Sequence, residues 1–89
     1  TELAPDRSDE LLARGHSFGE SRNICNAHWY SDVVAGRLVG AAAVARLQAS
    51  EEFDKAMDVA RADIERMRRE GKLPQRDCAA EAEALSTGL

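Results

Sequence analysis

Eighty-nine residues make at most one small domain, whose core is correspondingly thin. A formal charge of −4 and a pI near 5.1 exclude a general nucleic-acid binder, which needs a dominant basic surface. Phe18, Trp29, Tyr30 and Phe53 are too few for a base-stacking platform, and the longest apolar run, Leu38 to Ala45, is too short to span a bilayer.

Pro5 and Asp6 open a first helix, because proline suits the first turn and Asp6, Asp9 and Glu10 favour the positive helix end. The pattern predicts helix over about 6–18, with Leu11, Leu12 and Phe18 on one apolar face, Gly15 weakening the middle and Gly19 as terminator. His16, alone on this short element, reads as partly exposed and structural. Residues 19–27 read as a loop entering the next helix. Such a junction suits an anion, because the first backbone N–H groups have no intrahelical partner and the dipole favours negative charge there. Asn26 is a candidate cap, with Ser31 or Asp32 as later ones.

A central helix is expected over about 28–48. Its side chains are small (Ala35, Gly36, Gly40, Ala41, Ala42, Ala43, Ala45). Glycines weaken a helix, so Gly36 and Gly40, one turn apart, imply close approach of a neighbour. Val33, Leu38, Val39 and Val44 spread apolar surface around the circumference, as expected of a buried helix. Ser50 caps a third helix over about 51–70, with Glu51 and Glu52 in its first turn. Phe53, Met57, Ala60, Ile64 and Met67 recur at helical spacing and the opposite face is charged, the pattern of core packing with a solvated outer side. Gly71 and Pro74 end it. A short last helix follows over about 77–85, with Cys78, Ala82 and Leu85 on one side, and residues 86–89 form a tail. There is no strand pattern and no internal repeat. The fold class is all-α, a helical bundle.

The chemistry concentrates in the twelve residues from Ser21 to Asp32. Arg22 is a planar, permanently charged fork suited to phosphate. If the segment from about Asn26 is helical, His28 and Asp32 are i,i+4 neighbours on one face. The carboxylate then fixes the imidazole tautomer and leaves the other ring nitrogen free as base or nucleophile. The plainer alternative is that Arg22 and Asp32 form an ordinary ion pair and His28 caps a helix. No Ser elbow, Gly-rich phosphate loop or cluster of metal ligands occurs. Cys25 and Cys78 lie far apart without metal-type spacing, so two unrelated buried thiols and a disulfide both remain open.

Ser21-Arg22, five residues, His28, three residues and Asp32 resemble the third signature motif of bacterial class A non-specific acid phosphatases. That family lies in the superfamily of type 2 phosphatidic acid phosphatases and vanadium haloperoxidases. The flank from Val33 to Ala43, with Ala35-Gly36-Arg37 and Gly40-Ala41, is similar to the helix that continues from the motif there. The family's other two motifs, Lys with Arg-Pro after six residues and Pro-Ser-Gly-His, do not occur: Lys55 and Lys72 are the only lysines, and His16 lies in Arg-Gly-His-Ser. The resemblance, with a chain that starts at Thr1, implies the C-terminal part of a larger all-helical phosphatase domain.

By the same resemblance His28 is the nucleophile that carries a phosphohistidine, Asp32 orients it and supports its positive charge, and Arg22 holds phosphoryl oxygens. Ser21 makes only a structural hydrogen bond. The implied substrate is a phosphate monoester, with inorganic phosphate as product; no metal or other cofactor is required, and neither nucleic acid nor membrane is a partner. The missing N-terminal part of the same enzyme is expected to complete the site and to cover the apolar faces, with a second copy as the other candidate. The implied location is periplasmic or secreted. That oxidising setting favours a Cys25–Cys78 disulfide, which by chain entropy adds roughly 4 kcal/mol. Trp29 and Tyr30, beside the nucleophile, either pack under the helix or touch substrate. Competing functions are a vanadate-dependent haloperoxidase relative and a non-catalytic helical interaction module.

Overall fold

The computed structural model describes residues 1–86 and is all-helical, with no strand among them. A short 3-10 turn, Pro5–Arg7, leads into α1 (Ser8–Ile24), and α2 (Tyr30–Leu47), α3 (Glu51–Arg69) and α4 (Cys78–Leu85) follow. Helix α1 is the hub: α2 packs along it on one side and α4 on another. Of the expected tail, Ser86 closes α4 through its N–H to the Ala82 carbonyl, and 87–89 lie outside the described residues.

The caps explain most of these boundaries. Ser50 Oγ accepts from the Phe53 N–H (3.4 Å) and Asp77 Oδ1 from the Ala80 N–H (3.0 Å), each satisfying an otherwise orphaned donor at a helix start. At the far end of α3, Gly71 takes φ +67°, and the Gly71 and Lys72 N–H groups reach back to the carbonyls of Arg68 and Met67 (3.3 and 3.0 Å). That is a Schellman stop, which glycine adopts without a Cβ clash.

Two expectations for the middle of the chain fail. The loop expected over 19–27 is helical as far as Ile24, because Gly19 is a packing position and not a stop. A Cβ at Gly19 would stand 3.0 Å from Val33 Cγ1 and 3.2 Å from Arg37 Nη2, so the missing side chain is what lets α2 lie against α1. Nor is α2 buried. Leu38 and Val39 are each 68% exposed, and a Cβ at Gly36 or Gly40 would meet nothing within 4 Å. Apolar periodicity shows which surface seeks cover, not what covers it.

No residue among those described is fully buried. The radius of gyration, 15.8 Å, exceeds the roughly 12 Å of a compact domain of this length. Polar ties across elements join the pieces instead: Arg14 with Glu81 (2.6 Å, α1 to α4), Arg37 with Glu20 (2.8 Å, α2 to α1), Arg68 with Asp6 (3.1 Å, α3 to the first turn) and a Gln48–Glu2 hydrogen bond.

The expected Cys25–Cys78 disulfide is absent; both thiols are free and exposed. Helix α4 lies against the first half of α1, where Cys78 shares a cleft with Arg7, Leu11 and Arg14. Cys25 caps the other end of α1, eleven residues beyond Arg14. At 1.5 Å per residue that is about 16 Å of helix, far beyond the ~7 Å Cα separation a disulfide tolerates. Thiol titration of the denatured, unreduced chain is expected to find both cysteines reactive; a blocked pair would contradict this packing.

Hydrogen bonding from the Arg68 guanidinium holds the Asp6 carboxyl below its ordinary 3.8, and the same cation's charge adds to it. A depressed carboxylate pKa stabilises above the unfolded value, and the contribution is lost as pH falls through the folded one. NMR titration is expected to place Asp6 below 3.8 in the wild type and to return it to the ordinary range in Arg68→Ala.

Candidate active site

Arg22, His28 and Asp32 are brought together by the junction of α1 with α2. Arg22 stands in the last turn of α1, on helix and not on the expected loop. Asn26 then takes the left-handed conformation, φ +56°, which asparagine tolerates better than most residues. Its N–H bonds the Asn23 carbonyl (3.1 Å), and the Arg22 carbonyl receives the N–H groups of Ala27 (2.9 Å) and His28 (3.3 Å). Asn26 is therefore the C-terminal stop of α1, not the cap of the following helix. The same turn ties the backbone of His28 directly to that of Arg22.

Helix α2 begins at Tyr30 with Trp29 as N-cap, so His28 precedes the helix and is not a helical neighbour of Asp32. Proximity arises differently. Asp32, three residues beyond the N-cap, turns its carboxylate back, and Oδ2 accepts the Trp29 N–H at 3.0 Å. This is one half of a capping box; an indole offers no acceptor for the other half. The same Oδ2 lies 3.6 Å from His28 Nδ1. That separation is too long for a formed hydrogen bond but suits charge attraction to a protonated or phosphorylated ring. His28 Nε2 is the ring nitrogen left over.

A cleft of about 370 Å³ between α1 and α2 is lined by Arg22, His28 and Asp32 together with Gly15, Gly19, Val33, Gly36 and Arg37. The Arg22 guanidinium has no hydrogen-bond or ion-pair partner among the described residues, so the ordinary Arg22–Asp32 ion pair is not formed. On its other side His28 borders a second hollow, of about 420 Å³, with Asn26, Ala27, Trp29 and Asp32. Trp29 is 80% exposed and does not pack under the helix. The site is open to water: the His28 and Asp32 side chains are 57% and 50% exposed. Ser21 Oγ donates to the Phe18 carbonyl (2.8 Å), a structural hydrogen bond.

His16 lies on α1 away from His28, exposed and 3.7 Å from Glu20. Among the described residues no three His, Cys, Asp or Glu side chains gather where they could hold a metal. Arg37 also lines the cleft, a role its sequence context does not announce. It was visible only as part of the Ala35-Gly36-Arg37 flank, since a cation and an acid seventeen residues apart announce no pairing until a helix–turn–helix folds them together.

Comparison with known proteins finds bacterial acid phosphatases. The chain is 50% identical over 64 residues to a non-specific acid phosphatase of Salmonella typhimurium, covering 72% of this chain and 26% of that protein. It is 40% identical over 73 residues to an acid phosphatase of Zymomonas mobilis, covering 82% and 28%. A non-specific acid phosphatase of Providencia stuartii is 39% identical over 69 residues, covering 78% and 28%. The chain thus spans about a quarter of the length of these relatives. No family model and no solved structure matches.

The left-handed turn makes a prediction about Asn26. Asn26→Gly is expected to keep the turn, whereas Asn26→Val costs about 1–2 kcal/mol at this φ. Hydrogen exchange at the Ala27 and His28 amides reads it: faster by tenfold or more in the valine variant and near wild type in the glycine variant.

Proposed function

We propose that this chain, which belongs to the family of bacterial non-specific acid phosphatases, supplies the nucleophile-bearing part of a site that hydrolyses phosphate monoesters through a phosphohistidine. The observation that carries the proposal is the cleft lined by both Arg22, whose guanidinium is unpaired among the described residues, and His28, whose Nδ1 is turned to Asp32. An unpaired cation beside a ring nitrogen is the minimum needed to hold a phosphoryl group and attack it.

The reaction follows from those positions. Arg22 binds phosphoryl oxygens bidentately and offsets their charge. His28 Nε2 attacks phosphorus; the N–P bond forms as the P–O bond to the leaving alcohol breaks. The alkoxide takes its proton from an acid supplied outside this chain. Nδ1 keeps its proton and turns it to Asp32, whose charge supports the cationic phosphoimidazole. Water then attacks phosphorus, the N–P bond breaks, and inorganic phosphate leaves with His28 regenerated. Splitting the hydrolysis in this way makes two easier steps of one difficult one. Positioning and charge neutralisation supply most of the catalysis in phosphoryl transfer.

In this reading the segment works within a longer polypeptide. Its coverage of about a quarter of the relatives' length and the lack of any buried residue among those described both support that. A site open to water on two sides gains from further walls, which exclude solvent and strengthen every charge interaction inside. The proposed setting is the periplasm or the cell exterior.

The test is p-nitrophenyl phosphate hydrolysis by the longer enzyme that carries this segment. His28→Ala is expected to lower kcat by about a thousandfold or more while leaving the circular dichroism spectrum unchanged. Equal rates in a folded His28→Ala variant would exclude His28 as nucleophile.

A further inference from the structure

We propose that Glu20 and Arg37 form a positioning pair that sets where Arg22 stands relative to His28. The inference rests on the phosphate-site reading above. Three observations carry it. First, Arg37 Nη2 donates to Glu20 Oε1 at 2.8 Å, and among the described residues this is the ion pair that joins α1 to α2. Second, the same guanidinium lies over Gly19, where a Cβ would meet Nη2 at 3.2 Å, so the pair sits where the two helices pack closely. Third, Arg37 lines the cleft that holds Arg22, His28 and Asp32.

The topology makes this contact consequential. Arg22 belongs to α1, two residues beyond Glu20. Asp32 belongs to α2, five residues before Arg37. The turn ties their backbones at one end, through the Arg22 carbonyl and the His28 N–H. A hairpin held at its turn alone can still splay. The Glu20–Arg37 bridge is a second tie, about a turn and a half of helix away, and it fixes the angle between the helices. With both ties made, the Arg22 fork and His28 Nε2 face one phosphoryl group. Glu20 is suited to this, since its side chain is only 23% exposed and the pair is less screened than the other ion pairs among the described residues. His16 Nε2 stands 3.7 Å from the same Oε1, a second cation for that carboxylate when protonated.

A positioning role and a merely structural one separate kinetically. Loss of folded enzyme scales apparent kcat and leaves KM and the inhibition constant of inorganic phosphate untouched. Loosening Arg22 weakens phosphate binding itself. The measurement is competitive inhibition by inorganic phosphate of p-nitrophenyl phosphate hydrolysis, in the longer enzyme, for Glu20→Gln, Arg37→Lys, Arg37→Glu and the swapped double variant Glu20→Arg with Arg37→Glu. Glu20→Gln and Arg37→Glu are expected to raise the inhibition constant and KM together by about tenfold, with Arg37→Lys between them and wild type. The swap is expected to return both to within about threefold of wild type. If Glu20→Gln does not fold, Arg37→Lys, which keeps the charge, carries the same readout.

Unchanged inhibition by phosphate in folded single variants would overturn the proposal. So would single variants that weaken binding with no recovery in the swap; that pattern would make Arg37 a direct phosphate ligand, which cannot act from position 20. A wild-type enzyme without phosphatase activity, or one indifferent to His28→Ala, would remove the underlying reading and this inference with it. A His28-dependent enzyme with normal Glu20→Gln kinetics would remove this inference alone.

Discussion

The carbonyl oxygen of Arg22 is where the candidate site begins. As the third residue from the end of α1, Arg22 has a carbonyl without an intrahelical donor, and the turn after Asn26 supplies two, from Ala27 and His28. An unsatisfied helix terminus thus becomes the device that sets a cation and an imidazole side by side. The left-handed φ of Asn26 makes the reversal possible, and Gly19 lets α2 run back close enough to matter. Both positions are backbone requirements. They carry no chemistry themselves, yet the juxtaposition of Arg22, His28 and Asp32 depends on them.

This also shows what was legible in the sequence and why the rest was not. Helices α3 and α4 were readable almost to the residue because their signals are local: Ser50 and Asp77 cap them, and Gly71 stops α3. Gly19 and Asn26 misled because each admits two local meanings. A glycine after an apolar residue reads as a stop, and an asparagine before a helix reads as its N-cap. Which meaning holds is decided by the partner helix, through Val33 and Arg37 at Gly19, and by the carbonyls of α1 at Asn26. Arg22, His28 and Asp32 were visible as a set from spacing and resemblance, but the expected i,i+4 helical geometry was not the route. His28 lies outside α2, and Asp32 reaches it by folding back over the helix start.

The burial expectations failed for a related reason. A chain of small and apolar side chains such as Ala35 to Ala45 specifies a face that can be covered closely, and Gly36 and Gly40 leave room for it. Covering is a tertiary fact that composition does not contain. With no residue fully buried among those described, the helices are joined by exposed ion pairs, each contributing about 0–1 kcal/mol. Such ties define direction better than they define stability. That is why the pair at Glu20, the less exposed of them, has more influence on geometry than its count among the salt bridges suggests.

Asp32 joins these themes in one atom. Its Oδ2 accepts the Trp29 N–H and so fixes the first turn of α2, and the same oxygen faces His28 Nδ1. The carboxylate cannot swing toward the imidazole without loosening the helix start, so the helix holds the acid still. In the proposed reaction the ring's demand on Asp32 rises when Nε2 bonds phosphorus and the imidazole becomes cationic. A carboxylate already ordered by a backbone N–H meets that demand without reorganisation, which is how a preformed dipole stabilises charge at least cost. The cap of α2 and the support for the proposed nucleophile are therefore one interaction seen from two sides, and the fold at that point cannot be separated from the proposed chemistry.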